Sequence, residues 1–151
     1  MLIDVFLRSP LRHFDMSGNP IEDEGAEQLA IALGKSSCSI ECLFLSSCSL
    51  SQASVRSLLE SLKRHNHMKR LEIDRNQIGG HAFADFIPTL WYNRNLQVLS
   101  LSGCLIGERS FSYLIDALSK NRGVKELSAE RNNLGAEAAK SFAKLLIENE
   151  S

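Results

Sequence analysis

Cys38 and Cys42 make a Cys-x3-Cys pair, His65 and His67 flank Asn66, and Gly79-Gly80 stands before an apolar stretch. These are the residues whose types and spacing invite chemistry. Thiolate and imidazole are the usual ligands of zinc, but a structural site takes about four of them in tetrahedral array. Neither pair has partners at a spacing that would complete such a set, and a His-x-His loop reads equally well as a solvated connection. His13 and His81 stand apart from both. Paired glycines before a helix make a turn, and the Gly-x4-Gly-Lys-Ser/Thr phosphate loop is not in the sequence. The serines fall mostly at strand and loop positions, with no Ser, His and Asp in matching register. The expectation is no catalytic residue, no metal and no cofactor: not an enzyme.

A larger regularity must position whatever these residues do. Five segments align without gaps: Leu11 to Asn19, Ile40 to Cys48, Met68 to Asn76, Leu96 to Cys104 and Val124 to Asn132. The shared pattern is L-x-x-L-x-L-x-x-[N/C], with the final residue at 19, 48, 76, 104 and 132. Two residues later comes an aliphatic: Ile21, Leu50, Ile78, Ile106, Leu134. Further on, large apolar residues recur at helical spacing: Leu29, Leu58, Phe86, Leu114, Phe142, then Leu33, Leu62, Leu90, Leu118, Leu146. Each unit therefore reads as a short strand, a tight turn and an antiparallel helix. One such unit cannot bury its apolar side, so neighbours must stack.

This pattern resembles the ribonuclease-inhibitor type of leucine-rich repeat. The alternation of Asn and Cys at the turn is similar to the two repeat types of ribonuclease inhibitor and of nucleotide-binding innate immune receptors. The string Leu-Gly-Ala-Glu-Ala-Ala at 134–139 is also similar to the repeats of the Ran GTPase-activating protein. The resemblance implies an α/β fold: a right-handed β-α superhelix of about five repeats, parallel strands on the concave side and helices on the convex side. Residues 1–151 are expected to form one leucine-rich-repeat domain, with 1–10 a partial repeat and full repeats beginning near 11, 40, 68, 96 and 124. Met1, Leu2 and Val5 match the last helical turn of a preceding unit. No polar capping unit is evident before Leu11 or after Ile147, which suggests either a piece of a longer array or end-to-end self-association.

Charge and composition narrow the partners. Lys and Arg number 17 against 18 Asp and Glu, for a net charge of −1, which argues against a nucleic-acid binder held by bulk charge. No apolar run approaches the roughly 20 residues of a membrane span, and no secretory signal opens the chain. Four cysteines are then expected to be reduced thiols in the cytoplasm. Cys48 and Cys104, two repeats apart, would lie about 10 Å from each other, too far for a disulfide.

Strand alternation turns the residues between the leucines outward to the concave face. The candidate partner-binding residues are Phe44, Arg70, Glu72, Asp74, Arg75, Val98, Glu126 and Glu130. Aromatics and arginine ringed by polar groups are typical of binding hot spots; the alternative is a set of solvated charges with Phe44 partly covered by Arg70. A second patch is Trp91 with Tyr92, where other repeats carry Lys63-Arg64 or Ser119-Lys120, and Phe6-Leu7 fall at the matching place in the partial unit. Those two aromatics offer a contact surface or pack on the neighbouring helix end. Pro88 is expected to kink or loosen that helix.

The function expected is a protein–protein interaction scaffold that binds another protein through the concave β-face. Three alternatives stay open. One is a GTPase regulator similar to the Ran activator, with Asn76, Asn132, Arg75 or Arg131 as contacts. The others are a secreted bacterial or protist effector acting on a host protein in the host cytosol, and a fragment of an innate immune receptor's sensor region.

Overall fold

The computed structural model describes residues 10–35, 37–63 and 67–148, with the side chains of residues 82, 83, 85–87 and 148 set aside. The expectations for Met1, Leu2, Val5, Phe6, Leu7, Arg64, His65, Asn66 and the Phe86 side chain lie outside this set. Strands and helices alternate: β1 (His13–Asp15), α1 (Glu22–Leu33), β2 (Cys42–Phe44), α2 (Gln52–Ser61), β3 (Arg70–Glu72), α3 (His81–Tyr92), β4 (Val98–Ser100), α4 (Gly107–Lys120), β5 (Glu126–Ser128) and α5 (Ala136–Glu148). The strands form one parallel sheet in chain order. Phe14, Leu43, Leu71, Leu99 and Leu127 stand side by side along it. Leu43, Leu71 and Leu99 are fully buried, and the outer two, Phe14 and Leu127, are half-buried. The helices pack in sequence on the other side, burying Leu29, Leu33, Leu58, Leu62, Leu90, Leu114 and Leu118. In the last unit the matching Phe142 and Leu146 are 42% and 61% exposed.

The strands are three residues long because the backbone turns a corner soon after each. Gly18, Ser47, Arg75, Gly103 and Arg131 occupy the same place in their units, and all five have φ between 54° and 79°. That left-handed conformation is free for glycine but costs other residues about 1–2 kcal/mol. Next in line comes the Asn or Cys. Cys48 Sγ donates to Met16 O, Asn76 Nδ2 to Leu45 O, Cys104 Sγ to Ile73 O and Asn132 Nδ2 to Leu101 O. Each rung thus ties its unit to the carbonyl leaving the previous strand.

Asparagine does a second job that cysteine cannot. Asn76 Oδ1 accepts from the N–H groups of Cys48 and Leu50, at 2.9 and 3.1 Å. Asn132 Oδ1 accepts from those of Cys104 and Ile106, at 2.8 and 3.3 Å. The turns at Asn19 and Asn76 close locally instead, Ile21 N–H donating to Asn19 O and Ile78 N–H to Asn76 O. Cysteine-type turns leave two donors open, and the asparagine of the following unit satisfies them. The alternation read from the sequence is therefore a pairing of complementary turns.

Helix starts are also tied across units. Ser51 caps α2, accepting from Ala53 N–H at 3.1 Å, and Asp23 of α1 accepts from both the Ser51 N–H and hydroxyl. At Gly80, before α3, a Cβ would come within 2.3 Å of Ser110 Oγ and 2.6 Å of Ile106 O, so the glycine there permits close packing on the next unit. Pro88 does not interrupt α3, which continues from His81 to Tyr92. The flanking helices α2 and α4 both pack against α3, and the proline is exposed, so only its missing N–H is forfeited.

Candidate functional site

The outward residues of the sheet divide by what holds them. Asp74 is a strut: its Oδ1 accepts from Ser100 Oγ and from Ser102 N–H, each at 2.7 Å. Ser17 and Ser102 do the same for the next unit, accepting from the N–H groups of Ser46 and Glu130. Beside them, Arg70 reaches along and across the sheet, with Nη1 at 2.9 Å from Glu72 and Nη2 at 3.8 Å from Glu126. The Glu72 carboxylate holds the Arg70 guanidinium above its ordinary pKa. Cys42 and Val98 flank Arg70 in register. Phe44 lies beside Glu72 and is half-buried, while Glu126 and Glu130 are exposed. Arg75 is exposed at the sheet's margin, with Cγ 3.6 Å from where a Cβ on Gly103 would lie.

The sheet face therefore brings together Phe44, Arg70, Glu72, Val98 and Glu126, and uses Asp74 to hold itself in shape. Asp74, expected from the sequence among the contact residues, is half-exposed and carries these hydrogen bonds as well. Sequence reasoning missed Glu41, which precedes β2 and bridges Arg12 and Lys69 of the flanking units. The Lys69 ammonium, then the Arg12 guanidinium, holds the Glu41 carboxyl below its ordinary value. The signal was present as alternating charge at 12, 41 and 69.

At the far ends of the helices a second asparagine row went unread. Asn121 donates through Nδ2 to Leu90 O and Asn93 O, and accepts through Oδ1 from Gly123 and Val124 N–H. Asn93 accepts from Asn95 and Leu96 N–H. Their spacing of one repeat was visible in the sequence. The second patch splits apart here. Tyr92 is 81% exposed, but Trp91 packs on the core, with Lys120 Nζ 4.6 Å from its ring centroid. The Trp91 Nε1 and Thr89 Oγ1 atoms are buried without a hydrogen-bond partner.

The thiol and imidazole candidates do not converge. Cys38, Cys48 and Cys104 are buried, Cys42 is half-buried, and all four are free. Burial pushes the Cys104 thiol up to about 11 and raises the other three. Among the described residues no three His, Cys, Asp or Glu side chains lie close enough to hold a metal ion. No helix among them is long and apolar enough to cross a membrane.

Two family profiles, both described as leucine-rich repeat, match residues 9–30 and 95–119. The chain is 29% identical over 129 residues to ribonuclease inhibitor of Sus scrofa, covering 85% of this chain and 28% of that protein. It is 32% identical over 124 residues to human NACHT, LRR and PYD domains-containing protein 5, covering 82% of this chain and 10% of that one. Against human NACHT, LRR and PYD domains-containing protein 13 the figures are 27% over 146 residues, 96% and 14%. The chain thus spans a minor part of the curated relatives it matches. Among solved structures, leiomodin-1 actin-binding site 2 superposes with a TM-score of 0.83 at 16% identity, covering 97% of this chain and 86% of that one. The tropomodulin C-terminal domain of Caenorhabditis elegans gives 0.80 at 14%, covering 97% and 90%. Five strand–helix units in one register, closed by alternating Asn and Cys rungs, place this chain in the leucine-rich-repeat family, in its ribonuclease-inhibitor type.

Proposed function

We propose that this chain is a protein-recognition scaffold and that the concave sheet face is its binding surface. One observation carries the reading. At the middle of the sheet, half-buried Phe44 stands beside the Arg70–Glu72 ion pair, on strands whose backbone is held by the rungs on one edge. An aromatic and an arginine on a rigid, partly desolvated surface can bind with little loss of side-chain freedom. Phe44, Arg70, Glu72, Asp74, Val98, Glu126 and Glu130 form the contact set, with Arg75 at its rim, and Asp74 also ties its unit to the next through Ser100 and Ser102. Five strands span about 20 Å, which suits a helix, a loop or a domain edge. The buried free cysteines favour a reducing compartment such as the cytosol.

The names of two similar proteins, ribonuclease inhibitor and leiomodin-1 actin-binding site 2, refer to ribonuclease and to actin, and these two make natural first baits alongside whole lysate. The test compares the wild-type chain with the double variant Phe44→Ala, Glu72→Arg. Partners retained by the wild type should be lost by the variant at unchanged circular dichroism and melting temperature. Capture of the same partners by both would overturn the assignment to this face. Loss on Tyr92→Ala alone would move the main surface to the helix ends.

A further inference from the structure

Between the ends of α2 and α3 lies a cavity of about 450 Å³. Among the described residues its walls carry two cations, Lys63 and Arg94, and no carboxylate, with Pro88, Tyr92 and Asn95 beside them. The cavities beside α1 and α2 instead set Glu27 against Arg56. Thr89, 3% exposed, also lines the α2–α3 cavity, and its Oγ1 is one of two buried side-chain atoms without a partner among the described residues. A buried helical threonine commonly closes its hydroxyl on the carbonyl four residues back, and leaving it open is costly.

Among the described residues, charge along this edge is mostly positive, with Glu60 beside Lys63. Lys35, Lys120 and Arg122 are exposed on the neighbouring helix ends and loops, while Glu22, Asp23, Glu24, Glu108 and Glu137 crowd the opposite edge where helices begin. Lys63 is paired with Glu60 at 2.6 Å, but both side chains are about half exposed. Such a pair is weak, so an incoming carboxylate can take its place. Arg94 is exposed, and Tyr92 presents nearly its whole ring.

We propose that this cavity binds an acidic peptide segment of a partner protein. A glutamate or aspartate carboxylate sits between Lys63 and Arg94, and the adjoining peptide lies against the ring of Tyr92. The surface is separate from the concave face, so either assignment can fail without the other.

Trp91 is the only tryptophan in the chain and adjoins Tyr92, so its emission reports on this edge without a label. The full chain is titrated with octaglutamate, with octaglutamine and with inorganic phosphate. Octaglutamate should shift Trp91 emission saturably and lose affinity as salt is raised. Arg94→Glu should weaken that binding by about tenfold, and Tyr92→Ala by less. Phe44→Ala with Glu72→Arg should leave it unchanged. An equal response to octaglutamine, an equally tight response to phosphate, or wild-type affinity in Arg94→Glu would each overturn the proposal. Arg94 is exposed, so the variant is expected to keep its fold, and Arg94→Gln provides a milder second reading of the same charge.

Discussion

The two long edges of this solenoid treat polar groups differently. Along the edge where strands leave the sheet, the two later asparagine rungs are saturated: Asn76 and Asn132 each accept from two buried N–H groups and donate to carbonyls of their own and the preceding unit. Along the edge where helices end, Asn93 and Asn121 perform a similar service, yet Thr89 Oγ1 and Trp91 Nε1 stay unpaired within the same helix. A saturated edge gains nothing further from a ligand. An edge with an exposed tyrosine and cations held by weak, half-exposed pairs such as Lys63–Glu60 has room for a charged partner. The saturated rungs and the proposed acidic-peptide site thus lie on opposite edges of one repeating frame.

The largest effect should come from emptying a saturated rung. Asn76→Ala strands two buried N–H groups and two buried carbonyls and is expected to cost about 4 kcal/mol. Asn19→Ala, at an exposed rung whose main bond is to Met16 O, should cost about 0.5 kcal/mol. Denaturant melts of the two variants measure the gap, and equal losses would erase the distinction between interior and outer rungs. On the other edge the sign should reverse. Thr89→Val keeps the shape and removes the unpaired hydroxyl, so it should stabilise by about 1 kcal/mol; a loss would mean that the hydroxyl has a partner after all.

Asp23 sharpens the comparison through pH. Its bonds from Ser51 hold its carboxyl below the ordinary 3.8. A group with a depressed folded pKa contributes stability above its unfolded value and loses it as pH falls through the folded one. Wild type should therefore exceed Asp23→Asn by about 1 kcal/mol at neutral pH, with the difference shrinking below about pH 4. Equal pH profiles would remove the tie between α1 and the α2 cap. The smallest effect concerns the thiols. Iodoacetamide should modify Cys42 first and spare Cys48 and Cys104 until the chain unfolds, which peptide mapping reads directly.

The register of the fold was legible because it rests on spacing. Leu43, Leu71 and Leu99 fall one repeat apart and occupy adjacent rungs as the pattern requires. Outward direction was legible for the same reason. The duties of individual side chains were not, since they depend on where a neighbouring unit's backbone lies. Asp74 became a strut because Ser100 Oγ and Ser102 N–H come within its reach. Trp91 and Tyr92 look alike in the sequence, yet successive helical residues point about 100° apart, so one turned to the core and the other to water.

The dependence of each Cys turn on the Asn that follows it sets a grammar for length. Removing or inserting a single unit would set like beside like, leaving either a cysteine corner with no acceptor or an asparagine with no amides to receive. Cutting or adding a Cys–Asn couplet preserves every match. Changes to this array, whether made by duplication or at the bench, should be tolerated in twos.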